Sequence, residues 1–185
     1  SFPFWFVISI VFQYMQSYNN SFIKHILNKY HMQKLKILNR KEIKKIQEKL
    51  KEQFNCSLEN DYAYLINQKN KVIIINKDIS KINLDNLKID KMGLYFAEYS
   101  KNHVRLSKEG AQLLIRNHPE ASNLVTIDKS ELKEYFKGQE LKKDLGKDNR
   151  PVILKYNKEI IGYAQYKDKI ILNYLPKIHR GEVIA

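Results

Sequence analysis

The side chains that could carry covalent or metal chemistry are few, and their spacing supports neither. Cys56, the single cysteine, lies in FNCSLEND just after a helical pattern with no histidine nearby, which reads as a small buried residue rather than a nucleophile. One cysteine also excludes an internal disulfide and an all-cysteine metal site within the chain, and it fits a reducing cytoplasm. His25, His31, His103, His118 and His179 show no metal-ligand spacing, and adjacent Asp and Glu are absent from any obvious cleft-forming loop. The expectation is no catalytic residue, no metal and no cofactor. Binding chemistry is better represented. Within and around IIGYAQYKDKIILNYLPKIHR, residues 160 to 180, tyrosines are interleaved with basic residues, and over residues 150 to 180 seven Lys and Arg meet two Asp and Glu. Lys neutralises phosphates and Tyr stacks on unpaired bases, so this pattern is what an RNA site that tracks the backbone needs.

The whole-chain charge points the same way. In 185 residues, 33 Lys plus Arg against 20 Asp plus Glu give a formal charge of +13, which favours polyanions and nucleic acid first among them. A second origin for the lysines stands beside this one: Lys outnumbers Arg 28 to 5, and abundant Ile, Asn and Tyr are the residue usage of an AT-rich genome. At 43% hydrophobic, the chain can build a packed core as one domain or two small ones.

Residues 1 to 12, SFPFWFVISIVF, are apolar and uncharged but too short for a membrane-spanning helix, which takes about 20 residues. They lack the basic flank and cleavage site of a signal peptide. Residues 1 to 31 contain no acidic residue, and Met32 directly precedes the first helix signal. The stretch reads as an extension of doubtful origin, upstream of the natural start or loosely attached. A segment packed on the domain and a membrane anchor are the alternatives.

The elements that must position the basic and aromatic residues follow in order. Asn39 and Glu42 form a capping box ahead of Ile43, Ile46, Leu50 and Phe54, which predicts an amphipathic helix over 40 to 54 with a solvated outer face. YAYLIN (62 to 67) and KVIIIN (71 to 76) read as a hairpin over that helix. These make a small α+β unit of residues 32 to 90. The pattern resets near Lys91. GLYFAEYS (93 to 100) and residues 103 to 106 read as strands, 107 to 117 as a helix capped by Ser107, and LVTID (124 to 128) as a strand. Ser130 is expected to cap a second helix that Gly138 ends. Strands over 151 to 157, 159 to 167 and 169 to 177 then form a meander, for which closure into a small barrel hides the edges. Gly162 marks a bulge or a bend. One face of each closing strand is expected to carry core and the other to present Tyr, Asn and Lys.

The succession GLYFAEYSKNHVRLSKEGAQLL, LKEYFKGQEL, VILKYNKEIIGYAQYK and ILNYLPKIHR resembles the PUA-like RNA-binding domain at the C-terminus of Nop/Sun/Fmu-type rRNA cytosine-5 methyltransferases. It looks most like the stand-alone archaeal relatives of that tail, and the resemblance covers residues 91 to 181. The preceding unit is similar in position and size to the pre-PUA domains of archaeal RNA-binding proteins. The implied fold is α+β: a small N-terminal domain, then a PUA-like pseudo-barrel with two helices. The methyltransferases themselves use cysteines in a catalytic domain this chain lacks, and a doubly wound sheet with a Gly-rich loop fits neither its length nor its pattern. The resemblance implies a non-catalytic protein that binds rRNA or tRNA in ribosome biogenesis or RNA modification. Its expected partners are structured RNA and a separate RNA-modifying enzyme or ribosome assembly factors. In PUA domains a glycine lets backbone approach the phosphates, for which the resemblance offers Gly110 and Gly138, the second of them foremost a helix C-cap. The remaining expected contacts are Lys155, Lys167, Lys169, Asn173, Tyr174, Lys177, His179 and Arg180. The alternative is an adaptor whose apolar N-terminus tethers it to a membrane or a protein and whose lysines meet anionic lipid.

Overall fold

Asn39 opens the helix α1 (Arg40–Phe54) as its spacing with Glu42 predicts. Its side chain accepts from the Glu42 N–H, and the Glu42 carboxylate accepts from the Asn39 N–H. A hydrogen bond from Lys36 is the main reason the Glu42 carboxyl is held below the ordinary range. The computed structural model describes residues 21–25, 27–29, 35–58, 61–81, 92–100, 103–177 and 180–181.

Beneath α1 lies an antiparallel sheet in chain order: β1 (Leu35–Ile37), β2 (Tyr62–Asn67), β3 (Lys71–Asn76), β4 (Leu94–Tyr99) and β5 (Val104–Leu106). Alternation along β2 and β3 divides their side chains between two cores. Tyr64, Val72 and Ile74 join Ile46, Leu50 and Phe54 of α1. On the opposite face, Ala63, Leu65 and Ile75 meet Ile23 and Leu27, which are 1% and 4% exposed. Residues 21–25 and 27–29 are helical, so loose attachment is corrected for this part of the N-terminal stretch: its apolar side chains cover one face of the sheet. Residues 1–20 and Met32 lie outside the described residues.

The β3–β4 ladder, Lys71 to Glu98 through Ile74 to Leu94, runs across the boundary expected at residue 91. The change of sheet comes later, between Leu106 and Leu124. In that interval sits α2 (Lys108–Asn117), whose cap Ser107 accepts from the Gly110 N–H. Ala111 and Leu114 of α2 share one core with Phe96 of β4 and with Ile153, Ile160 and Tyr163 of the second sheet.

That second sheet is a curled half-barrel. Its strands are β6 (Leu124–Thr126), β7 (Leu141–Lys142), β8 (Arg150–Tyr156), β9 (Glu159–Lys167) and β10 (Ile170–Leu172), in the order β6-β8-β9-β10-β7. β6 lies parallel to β8, and the other pairings are antiparallel. α3 (Lys129–Phe136) buries Leu132 and Tyr135 in its core. The architecture is therefore α+β, a small sheet-and-helix unit followed by a PUA-like pseudo-barrel.

Three local expectations are corrected. Asp128, not Ser130, caps α3, because its carboxylate accepts from both the Ser130 and Glu131 N–H groups while Glu131 closes the box. β10 ends at Leu172 rather than 177, since Asn173 turns its side chain to the backbone of α3 and the loop after it. β9 is buried on both faces. A register shift opposite Leu154 and Lys155, with Gly162 at φ +148°, inserts Ile161 as an extra residue and changes the phase of alternation. Ile160 and Tyr163 then face the shared core, while Ile161, Ala164 and Tyr166 face the half-barrel.

Candidate nucleic-acid interface

Tyr174 is the exposed large hydrophobic side chain among the described residues, at 40%. Three contacts hold it. Its backbone N–H donates to the Tyr135 hydroxyl at 3.2 Å, its ring meets Tyr163 edge-on at 5.8 Å, and the Arg105 guanidinium stands 5.3 Å from its centroid. Arg105 is fixed in turn by Glu98, 2.9 Å away across the β4–β5 ladder. Lys71 repeats the motif over Tyr95 at 5.0 Å.

Tyr174, Tyr163, Tyr135, Arg105 and Tyr95 line a cleft of about 200 Å³ where the two sheets meet. The first sheet and α2 contribute Tyr95, Arg105, Lys108 and Glu109; the half-barrel contributes Gly162, Tyr163, Tyr174 and Pro176. Burial pushes the Tyr163 hydroxyl up to about 12, raised further by neighbouring Tyr174, and Tyr95 is also raised, chiefly by burial. Both rings stay neutral at physiological pH and offer π-faces rather than anions. Aromatic faces beside fixed cations are the chemistry of stacking on a base while holding a phosphate.

A wider groove of about 830 Å³ lies along α2 and shares Glu109 with the cleft. Leu94, Leu113 and Leu124 contribute apolar lining, and Arg116, Lys155 and Lys158 are its basic members.

The expected site residues divide accordingly. Tyr174 lines the cleft, and exposed Lys177 follows its lining residue Pro176. Lys155 belongs to the wider groove. Lys167 and Lys169 flank the β9–β10 turn, where Asp168 and Lys169 adopt φ +50° and +64°, and Lys169 is bridged to Asp144 at 2.7 Å. Gly110 is corrected. It is buried, and a Cβ there would sit 2.0 Å from the Phe96 carbonyl oxygen, so the missing side chain serves close packing of α2 on β4 and not an approaching phosphate. Asn173 is corrected too, because its polar atoms are occupied: Nδ2 donates to the carbonyls of Tyr135 at 2.6 Å and Gln139 at 2.8 Å, and Oδ1 accepts from Leu175 N–H. Arg180 donates through Nε to the Leu175 carbonyl at 3.0 Å and lays its guanidinium against Gly138. His179 lies outside the described residues.

Asn173→Ala is expected to lower stability by about 1 to 3 kcal/mol, since two carbonyls lose their donor. Urea denaturation checks this, and an unchanged midpoint would mean that water replaces the amide without loss.

Tyr95, Arg105, Lys108 and Glu109 were not singled out from the sequence. All four fall within GLYFAEYSKNHVRLSKEGAQLL, where Tyr95 and Tyr99 are followed by Lys101, Arg105 and Lys108. Cys56 is buried, and burial, with Glu120 nearby, pushes its thiol up to about 11, away from the thiolate a nucleophile needs. Among the described residues no cluster of His, Cys, Asp and Glu could hold a metal, and no helix is long and apolar enough to cross a membrane.

Residues 122–180 match the family model of the methyltransferase RsmF PUA domain. The match holds β6 to β10 and α3, and starts well after residue 91, where the sequence resemblance begins. No curated protein matches the chain.

Proposed function

With residues 122–180 a PUA-like domain of the kind found in Sun/Fmu-type methyltransferase relatives, and RNA its general class of partner, we propose that the chain binds rRNA or tRNA without catalysing a reaction on it. In this reading it works in the cytoplasm during ribosome biogenesis or RNA modification, beside a separate enzyme or assembly factor that it helps to position. The observation that supports it most is exposed Tyr174 under the Arg105 guanidinium, in a cleft that also holds Lys108. An exposed aromatic ring is costly to leave unused, and a cation held over it by a carboxylate is already arranged for a nucleic-acid strand.

The test is affinity for RNA against salt. Log affinity should fall linearly with log salt, with a slope of roughly 0.7 to 0.9 per phosphate contact. Arg105→Ala with Lys177→Ala should weaken binding several fold and reduce the slope by about 1.5. Lys44→Ala with Lys45→Ala removes equal charge from the outer face of α1. Equal losses in the two double variants would reduce the reading to net charge, and a flat salt response would end it.

A further inference from the structure

The cleft holds one group that a phosphate-tracking site has no use for. Glu109, the second residue of α2, lines it beside Lys108, and among the described residues no hydrogen bond or ion pair engages its carboxylate. Glu98, by contrast, is engaged with Arg105 at 2.9 Å. An exposed carboxylate with free acceptor capacity, at the rim of a cleft that also carries Tyr174, Arg105 and Lys108, repels a phosphate and attracts N–H donors. The planar N–H donors that accompany a π-face are those on the Watson–Crick edge of an unpaired base.

We propose that the cleft receives one unstacked base of a single-stranded RNA segment and selects for an exocyclic amino group, with Tyr174 as the stacking surface and Glu109 as the acceptor. The inference rests on the RNA-binding reading above and adds a base preference to it. Arg105 and Lys108 at the same cleft are placed to hold the phosphates of the flanking nucleotides. A cleft of about 200 Å³ has room for one base, and such a base comes from a loop, bulge or end where it is unpaired. Three of the contributing residues, Arg105, Lys108 and Glu109, precede residue 122, so the selectivity comes from outside the segment that matches the family model.

Cytosine and uracil differ at C4 by an amino donor against a carbonyl acceptor, and a carboxylate accepts from the first and repels the second. Fluorescence anisotropy of the full chain with labelled oligo(rC) and oligo(rU) of equal length, at fixed salt, should show oligo(rC) bound about tenfold tighter. Glu109→Gln, whose amide can both donate and accept, should bring the two affinities within about twofold. Tyr174→Ala should weaken both oligomers about tenfold or more, with circular dichroism establishing that the variant is folded. Equal affinity of the native chain for both oligomers, or a cytosine preference that survives Glu109→Gln, would overturn the proposal while leaving salt-dependent RNA binding intact. Absence of salt-dependent binding to either oligomer or to structured RNA would instead remove the RNA reading, and the proposal with it.

Discussion

Replacing Gly110 with alanine is expected to lower the thermal unfolding midpoint by about 6 to 12 °C. The added Cβ would lie 2.0 Å from the carbonyl oxygen and 2.9 Å from the carbonyl carbon of Phe96, both backbone atoms of a central strand that no rotamer change can move aside. α2 must then lift from β4, loosening Ala111 and Leu114 against Phe96. Overpacking of this kind costs about 3 kcal/mol, and a chain of this length loses about 2 to 4 °C per kcal/mol. Gly181→Ala is the control, since nothing lies within 4 Å of a Cβ there. Scanning calorimetry of both variants decides it: equal midpoints would mean that α2 is not seated this closely. The same experiment separates packing from contact with RNA, because a folded Gly110→Ala fraction should keep its affinity.

A chain shortened to begin at Met32 is expected to lose much of its stability. Without residues 21–29, Ala63, Leu65 and Ile75 lose the cover of Ile23 and Leu27, leaving one face of β2 and β3 in water. Emptying one such buried Ile or Leu site costs about 2 to 5 kcal/mol, against a total stability of about 5 to 15 kcal/mol. Ile23→Ala and Leu27→Ala in the full chain should reproduce the loss in part, which distinguishes lost packing from other effects of truncation. Urea midpoints measure both. A shortened chain with an unaltered midpoint would show that the segment contributes nothing to the fold.

Local signals in the sequence were strong where one residue settles the conformation. The Asn39 and Glu42 box, the Ser107 cap and the strands flanking Gln68 to Asn70 all lie where side-chain type predicts. Two neighbouring cap-type residues are harder to rank, and Asp128 displaces Ser130 because a carboxylate reaches two N–H groups at once. Longer-range features leave weaker traces. A three-residue strand such as β1 carries no period, and the β3–β4 ladder joins residues on either side of a stretch that reads as a break. The bulge at Ile161 shifts the phase of alternation within a strand that otherwise reads as regular. From the sequence, Tyr174 is expected on the open face of a closing strand, and it lies exposed in the cleft. The roles of Gly110 and Asn173 were not legible, because residue type does not reveal whether a carbonyl already stands at the missing Cβ or the amide. Arg105 and Glu109 escaped because they reach the cleft from the other sheet.

The core that passes from α1 through α2 to Ile153, Ile160 and Tyr163 has a consequence for how the molecule opens. Hydrogen exchange in the central strands of both sheets should report one common opening free energy, because neither sheet can separate from α2 without exposing the other's side chains. On this packing the chain is expected to open as a single foldon. The matched segment, although it encloses a core of its own from Val125 to Leu175, is then expected to share its opening with residues that precede it.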